Sequence, residues 1–527
     1  MYPTRRRSRW PIAWAAMIGL AVALIFSNSF SQFASGLVHG SQQSHPVALP
    51  SFHVSPPPKA VCDNSGLLSG PASATAAAVV VPAGDDSRVG FGQAGATYWF
   101  APGKHTLGNG RFTQITPGNG ATFIGAPGAI IDGGHKNAYA FGGTAAHVTI
   151  SFLTVQNFGG PGDNQNEGVV NHNSAPYWTV DHTTVRDNAG AGVMLGSHNV
   201  LSYNCLSDNQ QYGFNAYVPK SVITDLTVEH NEISGNDTYN WESHQKGCGC
   251  SGGGKFWAVD GAVVADNWVN DNGSVGLWAD TDNRGFQITG NYISGNFSNG
   301  LIYEISYNAE ISGNTFVKNG IGLGPAAVSF PTGALYISES GGDSRVPGKY
   351  SGKFDVTNNT FVNNWSGVIL WENANRFCNS PANTSVDYCT LVNPGTVTVQ
   401  SCNAANTSKP PYVSDCRWKT QNVSVDHNVF DFNAAEVSSY CNAATACGYQ
   451  GIFSEYGTYP SWSPYQKTTI EQAITLGQDN HFYANSYNGP WQFMIHQQGN
   501  VVSWKTWTSA PYHQDLASKA SASTKGG

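Results

Sequence analysis

The pattern of apolar and polar positions repeats along the middle of the chain. In each copy an apolar residue is followed three positions later by Asn, and a second polar residue, usually Asn, comes five positions after the first. Successive copies lie 21 to 24 residues apart where no insertion intervenes. A fixed period of this size is typical of solenoids. An eighth copy has Thr183 at the first polar position. The other seven have Asn there: Asn204, Asn231, Asn267, Asn291, Asn314, Asn359 and Asn428.

Each Asn is flanked by short apolar strands with a period of two, as in residues 263–269 and 286–293. Such strands cannot bury an apolar face alone, and stacking successive coils builds a continuous core. Asn side chains stacked in register can bond to one another, which satisfies buried amides. The pattern predicts an all-β parallel solenoid with an Asn ladder and loop insertions. Asn283, outside the phrase, is expected to be exposed.

These repeats resemble the right-handed parallel β-helix proteins of the pectate-lyase-like superfamily, over roughly residues 95–500. The resemblance implies a right-handed parallel β-helix fold. The same fold carries polysaccharide lyases, glycoside hydrolases, epimerases, phage tailspikes and adhesins. The resemblance therefore does not select one reaction.

The chain begins with features of a targeting segment, a basic stretch followed by the apolar residues 11–26. Residues 1–32 are predicted to be a signal peptide or an uncleaved signal anchor. Residues 33–60 form a Pro/Ser-rich linker. Residues 61–515 form the β-helix domain, with a Cys-bearing insertion at 376–422, and residues 516–527 a disordered tail. We expect an extracellular protein, either secreted or anchored to the cell membrane through residues 11–26.

The net charge limits the kinds of ligand that the protein can bind, and the cysteine content indicates its compartment. The net charge of −8 argues against nucleic-acid binding, which needs a basic footprint. Ten cysteines fit an oxidising compartment. Cys248 and Cys250 are expected in disulfides, with neighbours or with each other. Six more can form three disulfides of open connectivity: Cys378, Cys389, Cys402, Cys416, Cys441 and Cys447.

The strongest candidate chemistry is a pair of acids, Asp280 and Glu304. Each lies 13 residues after a ladder Asn, Asn267 or Asn291, so both occupy the same outward position on consecutive coils. Backbones on adjacent coils lie about 4.8 Å apart. Carboxylates this close repel, which raises the pKa of one of them. Such a pair suits a general acid beside a base or nucleophile, or a shared Ca²⁺.

Further titratable and aromatic residues lie near this pair. An insertion between Asn231 and Asn267 brings a Cys-constrained loop beside the acidic face. The predicted catalytic residues are Asp280, Glu304, Lys255, His244 and Asp282. The predicted substrate-binding residues are Trp278, Arg284, Tyr336, Trp371 and Glu242. Glu339 and Glu372 are the next candidates if the first pair is not catalytic.

Together these features predict a monomeric carbohydrate-active enzyme acting on a polysaccharide. Hydrolysis is slightly favoured over β-elimination, because acids outnumber bases on this face. In β-elimination Lys246, Lys255, His244 or Arg284 would take the proton. The alternative is a non-catalytic surface adhesin or glycan-binding stalk. A concentration of acids, bases and aromatics on consecutive coils favours the enzyme.

Overall fold

Each complete coil contributes three short strands, one to each of three long parallel sheets. The computed structural model describes residues 54–326, 331–380, 397–441, 446–455, 460–465 and 468–525. All of them belong to one unit, Leu49–Gly527. Neighbouring strands in every sheet come from successive coils, so the predicted right-handed parallel β-helix is confirmed.

Two of the sheets carry the Asn-containing turns between them. Sheet A has 13 strands in the described residues: Val79–Val81, Thr97–Phe100, Thr122–Gly125, Thr149–Ser151, Thr179–Asp181, Val200–Ser202, Ile223–Glu229, Val259–Ala265, Arg284–Thr289, Tyr307–Ser312, Phe354–Thr357, Val423–Asp426 and His481–Tyr483. Sheet B has 14: Gly84–Asp85, Gly103–Thr106, Ala129–Asp132, Thr154–Gln156, Thr184–Arg186, Cys205–Ser207, Glu232–Ser234, Trp268–Asn270, Tyr292–Ser294, Thr315–Val317, Thr360–Val362, Val429–Asp431, Ser486–Asn488 and Lys519–Ala520.

The third sheet, sheet C, positions the candidate site. Its 11 described strands are Gly168–Val170, Ala191–Leu195, Tyr212–Ala216, Gly252–Phe256, Val275–Ala279, Leu301–Glu304, Leu335–Ser338, Val368–Asn373, Tyr449–Glu455, Gln492–His496 and the antiparallel Val501–Val502. The described helical segments are all short: Ser65–Leu68, Trp241–His244, Gly324–Ala326, Tyr412–Asp415, Ala434–Val437, Thr468–Gln472, Ala473–Gly477, Trp504–Thr508 and Ala522–Lys525.

The core consists of columns of like residues, one from each coil. In sheet A one column runs Val180, Leu201, Val228, Val264, Ile288, Ile311, Val356, Val425 and Phe482, all buried. In sheet B the rings of Phe316, Phe361, Phe430 and Tyr487 stack with centroids 4.7–5.0 Å apart. Stacking in register builds one continuous apolar core from successive coils.

The predicted Asn ladder is confirmed along the turn between sheets A and B. The backbone N–H and the side-chain Nδ2 of Asn267 both donate to Asn291 Oδ1, at 3.0 and 2.9 Å. Asn291 makes the same two bonds to Asn314. The ladder begins at Thr183, which donates only through its backbone N–H, and runs through all seven predicted Asn residues to Asn485. Every rung is buried.

The second polar position of the phrase forms a parallel ladder from Asn188 to Asn364. Asn433 does not continue it, because its side chain caps the helix Ala434–Val437. The expectation that Asn283 is exposed was wrong. Asn283 is buried in a third, shorter ladder, where its Oδ1 accepts the N–H of Val259 and its Nδ2 donates to Ser306 Oγ.

The disulfides agree with the oxidising compartment predicted from cysteine content. Cys248 pairs with Cys250, Cys402 with Cys416 and Cys441 with Cys447. Cys378 is also disulfide-bonded, and Cys389 lies outside the described residues. Sequence reasoning missed the fourth described pair, Cys62–Cys205, which spans 143 residues.

The predicted disordered tail is wrong for most of its length. Lys519–Ala520 adds a strand to sheet B beside Ser486 and Tyr487, and Ser521 Oγ donates to Gly489 O at 3.1 Å. This strand is the last one of sheet B in the described residues. None of the helices in the described part of the chain has the length and apolarity to cross a membrane. The predicted signal segment, residues 1–32, lies outside the described residues.

Candidate functional site

The predicted site lies on two outward columns of sheet C. Strand pairing places four residues in one column, in the order Lys255, Trp278, Ile302 and Tyr336. The other column contains Asp280 and Glu304. Ala279 pairs with Tyr303, and Asp280 and Glu304 are the residues that follow them in the chain. Asp280 and Glu304 are therefore level on adjacent coils, as the repeat spacing predicts. Ser338 and Trp371 continue this second column.

Asp280 forms an ion pair with Lys255, whose Nζ lies 2.9 Å from Asp280 Oδ2. The other carboxylate oxygen, Oδ1, accepts the N–H of Thr281 at 2.7 Å and its hydroxyl at 3.0 Å. Both side chains of the ion pair keep 12% of their surface exposed. The Asp280 carboxylate therefore has three protein contacts, from one cation and two hydrogen-bond donors, while it remains reachable from solvent.

Glu304 belongs to a second group, with Glu339 and Arg376. One guanidinium nitrogen, Arg376 Nη1, contacts Glu304 Oε1 and lies 3.0 Å from Glu339 Oε2. Burial, opposed by Arg376 and helped by the nearby Glu304 carboxylate, raises the pKa of Glu339 to about 7. Two carboxyls and one guanidinium are electrically neutral when the carboxyls share one proton. Burial favours that neutral state.

The two groups differ in access. Glu304 keeps 10% of its side-chain surface exposed, whereas Glu339 is completely buried. Tyr336 lies beside them, and burial and both carboxylates raise the pKa of its hydroxyl well above the usual value. Tyr336 and Trp371 are themselves only 3% and 4% exposed. They therefore form the floor under the acidic groups and do not present ring faces at the surface.

The insertion after Asn231 covers the Lys255–Trp278 edge of the site, as expected. Lys255 Nζ donates to Gly249 O at 2.7 Å and lies 4.1 Å from the centre of the Trp278 ring. Gly249, between the two bonded cysteines, has a φ of +51°, and a β-carbon there would lie 2.7 Å from the Trp278 ring. Only glycine fits this contact. Glu242 accepts the N–H groups of Gly247 and Gly249, so it holds the loop in shape.

Three predicted site residues lie apart from this arrangement. His244 ends the helix Trp241–His244, is exposed, and stacks on Tyr239 with ring centres 4.0 Å apart. Arg284 begins a sheet A strand and bonds to Asp260 Oδ2 at 2.7 Å. Asp282 lies in the turn between sheets C and A, where burial raises its pKa to about 7 and Arg284 opposes that rise. The structure joins neither His244 nor Arg284 to Asp280 or Glu304.

Sequence reasoning missed Arg376, because no repeat position marks it. Arg376 comes three residues after the strand Val368–Asn373, at the start of the irregular insertion. Glu372 likewise contacts a guanidinium from this insertion, that of Arg417. In the described residues no group of three or more His, Cys, Asp or Glu is arranged to hold a metal ion. The Ca²⁺ suggested by the sequence stays a prediction, and cationic side chains contact the two acids instead.

Comparison with known proteins agrees with this architecture. Residues 168–346 match the family described as a right handed beta helix region. No curated protein matches the sequence. The chain is similar to the A-module of Azotobacter vinelandii mannuronan C-5 epimerase AlgE4, at 12% identity and a TM-score of 0.42, over 77% of this chain and 91% of that one.

Two further solved structures show similarity of the same kind. One is the catalytic unit of the GH87 α-1,3-glucanase from Streptomyces thermodiastaticus strain HF3-3, with 12% identity, a TM-score of 0.47, and coverage of 86% of this chain and 71% of that one. The other is a PL6 alginate lyase, with 12% identity, a TM-score of 0.36, and 85% coverage of both chains. These similarities are too weak to assign a reaction. The strand pairing, the Asn ladders and the match over residues 168–346 show that this is a right-handed parallel β-helix protein.

Proposed function

We propose that this protein is a carbohydrate-active enzyme that hydrolyses a glycosidic bond in a polysaccharide lying along the outer face of sheet C. One observation carries the proposal. Asp280 and Glu304 are level on adjacent coils, both are partly exposed, and each contacts a different cation, Lys255 or Arg376. Two carboxyl groups flanking one bond are what glycoside hydrolysis requires.

The surroundings assign a role to each acid. Asp280, which contacts Lys255 and accepts the N–H of Thr281, is the nucleophile or the base that activates water. Glu304 shares Arg376 with Glu339, the carboxyl whose pKa is raised to about 7 mainly by burial. Glu304 is the accessible member of this pair, so in this proposal it is the acid that protonates the leaving oxygen.

The remaining groups bind and orient the sugar. Trp278 is a half-buried aromatic of the site, and its ring lies beside Lys255 and the loop that carries Gly249. Trp257, the residue before Asp280 in the same outward column, has Lys255 Nζ 5.9 Å from its ring centre. Aromatic rings at the edge of a charged groove are suited to stacking on the apolar face of a sugar.

The test is an activity screen of the intact protein against a panel of polysaccharides. Reducing ends report cleavage, and the ultraviolet absorbance of unsaturated uronates separates β-elimination from hydrolysis. On the substrate that is cleaved, Asp280→Asn and Glu304→Gln should each lower kcat by about 10²–10⁴-fold. Asp260→Asn is the matched control, because it breaks a comparable half-buried ion pair, with Arg284, on sheet A.

Each outcome has a defined meaning. Unsaturated products would show that the enzyme is a lyase and that the proposed hydrolysis is wrong. Full activity in both acid variants would show that the active site lies elsewhere on the solenoid. Binding of a polysaccharide without cleavage of any member of the panel would favour the alternative, a glycan-binding stalk or adhesin.

A further inference from the structure

A cavity of about 310 Å³ lies where the residues before the strand Val423–Asp426 meet the segment Ala473–Gly477. It is lined by Arg417, Lys419, Gln421, Asn422, Ala473, Gly477, Gln478 and Asp479. We propose that this cavity binds a small oxyanion, a carboxylate, phosphate or sulfate group, through Lys419. The inference does not depend on the hydrolytic site.

The first argument is how the charged groups around the cavity are paired. The Arg417 guanidinium contacts the Glu372 carboxylate. Nearby, Arg345 is paired with Asp343 at 2.9 Å and with Asp415 at 2.7 Å. Arg417 therefore has one carboxylate in direct contact, and Arg345 has two.

Lys419 is the exception. No carboxylate in the described part of the chain lies within ion-pair distance of its ammonium group, which donates to Ser414 Oγ. Asp479, at the rim, has its side chain 74% exposed and pairs with His481 at 2.6 Å. The lining thus carries one ammonium group that no carboxylate in the described residues contacts directly.

The second argument is the cost of that charge. Burial, helped by the positive charges of Arg417 and Arg345 and opposed by Asp415 and Asp343, lowers the pKa of Lys419 to about 8. A partly buried cation without an ion pair loses hydration that its hydrogen bond to Ser414 replaces only in part. An oxyanion entering the cavity would supply the missing opposite charge, and charge-assisted hydrogen bonds of this kind are among the stronger ones.

The third argument is that the amides of the lining are already fixed in place. Gln478 Nε2 donates to Glu372 Oε2 and to Thr420 O, both at 2.7 Å. Asn422 Nδ2 donates to Gly342 O at 2.7 Å. The cavity wall is therefore held by the protein before a ligand arrives, and a volume of about 310 Å³ falls at the lower end of the range for small-ligand sites.

The experiment is isothermal titration of the intact protein with sodium phosphate, sodium sulfate and sodium glucuronate at matched ionic strength, with glucose as the neutral probe. We expect at least one oxyanion to bind and glucose not to bind at this site. Lys419→Gln should weaken that binding at least tenfold, and Lys419→Arg, which keeps the charge, should retain most of it. Lys318→Gln removes an exposed lysine elsewhere and should change nothing.

The relative affinities identify the source of the ligand. Tighter binding of glucuronate than of phosphate or sulfate would point to an acidic sugar, and the reverse order to an inorganic ion. Thermal melts of the variants without ligand confirm that they fold. Equal binding by the wild type and Lys419→Gln, or no binding of any of the three oxyanions, would overturn the proposal.

Discussion

Replacing Asn291 by leucine tests whether the buried ladder stabilises the solenoid. The change removes the oxygen that accepts both the backbone N–H and the Nδ2 of Asn267, at 3.0 and 2.9 Å. It also removes the Nδ2 donor to Val264 O, at 2.8 Å. Two buried donors left unsatisfied cost about 1–3 kcal/mol each. The additional apolar burial of leucine returns about 2 kcal/mol, so we expect a net loss of about 2 kcal/mol.

The assay is chemical denaturation followed by tryptophan fluorescence, in which the free energy of unfolding should fall for Asn291→Leu. The matched control is Gln287→Leu, which replaces an amide by leucine at a half-buried outward position of the same stretch of chain. Because Gln287 is not part of a ladder, its loss should change the free energy of unfolding far less. Equal losses in the two variants would refute the claim that the ladder bonds stabilise the fold.

The remaining predictions concern protons and disulfides. A raised pKa means that the folded protein holds the Glu339 proton more tightly than the unfolded chain. Stability from this group is therefore full below about pH 4.5 and is lost as the pH rises towards 7. Glu339→Gln should flatten that decline, by on the order of 3 kcal/mol, and unchanged pH-dependent melting curves would contradict it. Mild reductant should expose the segment closed by Cys402 and Cys416 to protease before the stacked coils, and cuts appearing first in the coils would refute this. Removing the Cys62–Cys205 link with serines should cost about 5 kcal/mol of unfolding free energy by chain entropy, and unchanged denaturation midpoints would argue against that estimate.

The repeat made much of this structure predictable. A constant spacing from Asn267 and Asn291 fixes the register of the coils, and the same register places Asp280 level with Glu304. Lys255 was named as a candidate, but the insertion before it hides its register. Its contact with Asp280 is therefore visible only in the structure.

Residues outside the repeat could not be placed from the sequence. Arg376 reaches Glu304 across 72 residues of chain, because an irregular segment returns over the sheet. Asn433 fits the repeat but leaves the ladder, since capping a helix competes for the same side chain. A pattern of spacing predicts which residues stack, and it cannot predict which irregular segments fold back onto the stack.

The Cys62–Cys205 disulfide also determines how the protein would carry mechanical tension. Force applied to the two ends of a chain follows the shortest covalent path, and here that path passes directly from residue 62 to residue 205. Glu232 strengthens the same point, because its Oε2 accepts the N–H groups of Val61 and Cys62, both at 2.8 Å. The coils between the two cysteines lie in a closed covalent loop that bears no load. Under tension the coils after Cys205 would unravel first, and the opening coils would stay folded for as long as the disulfide remains oxidised.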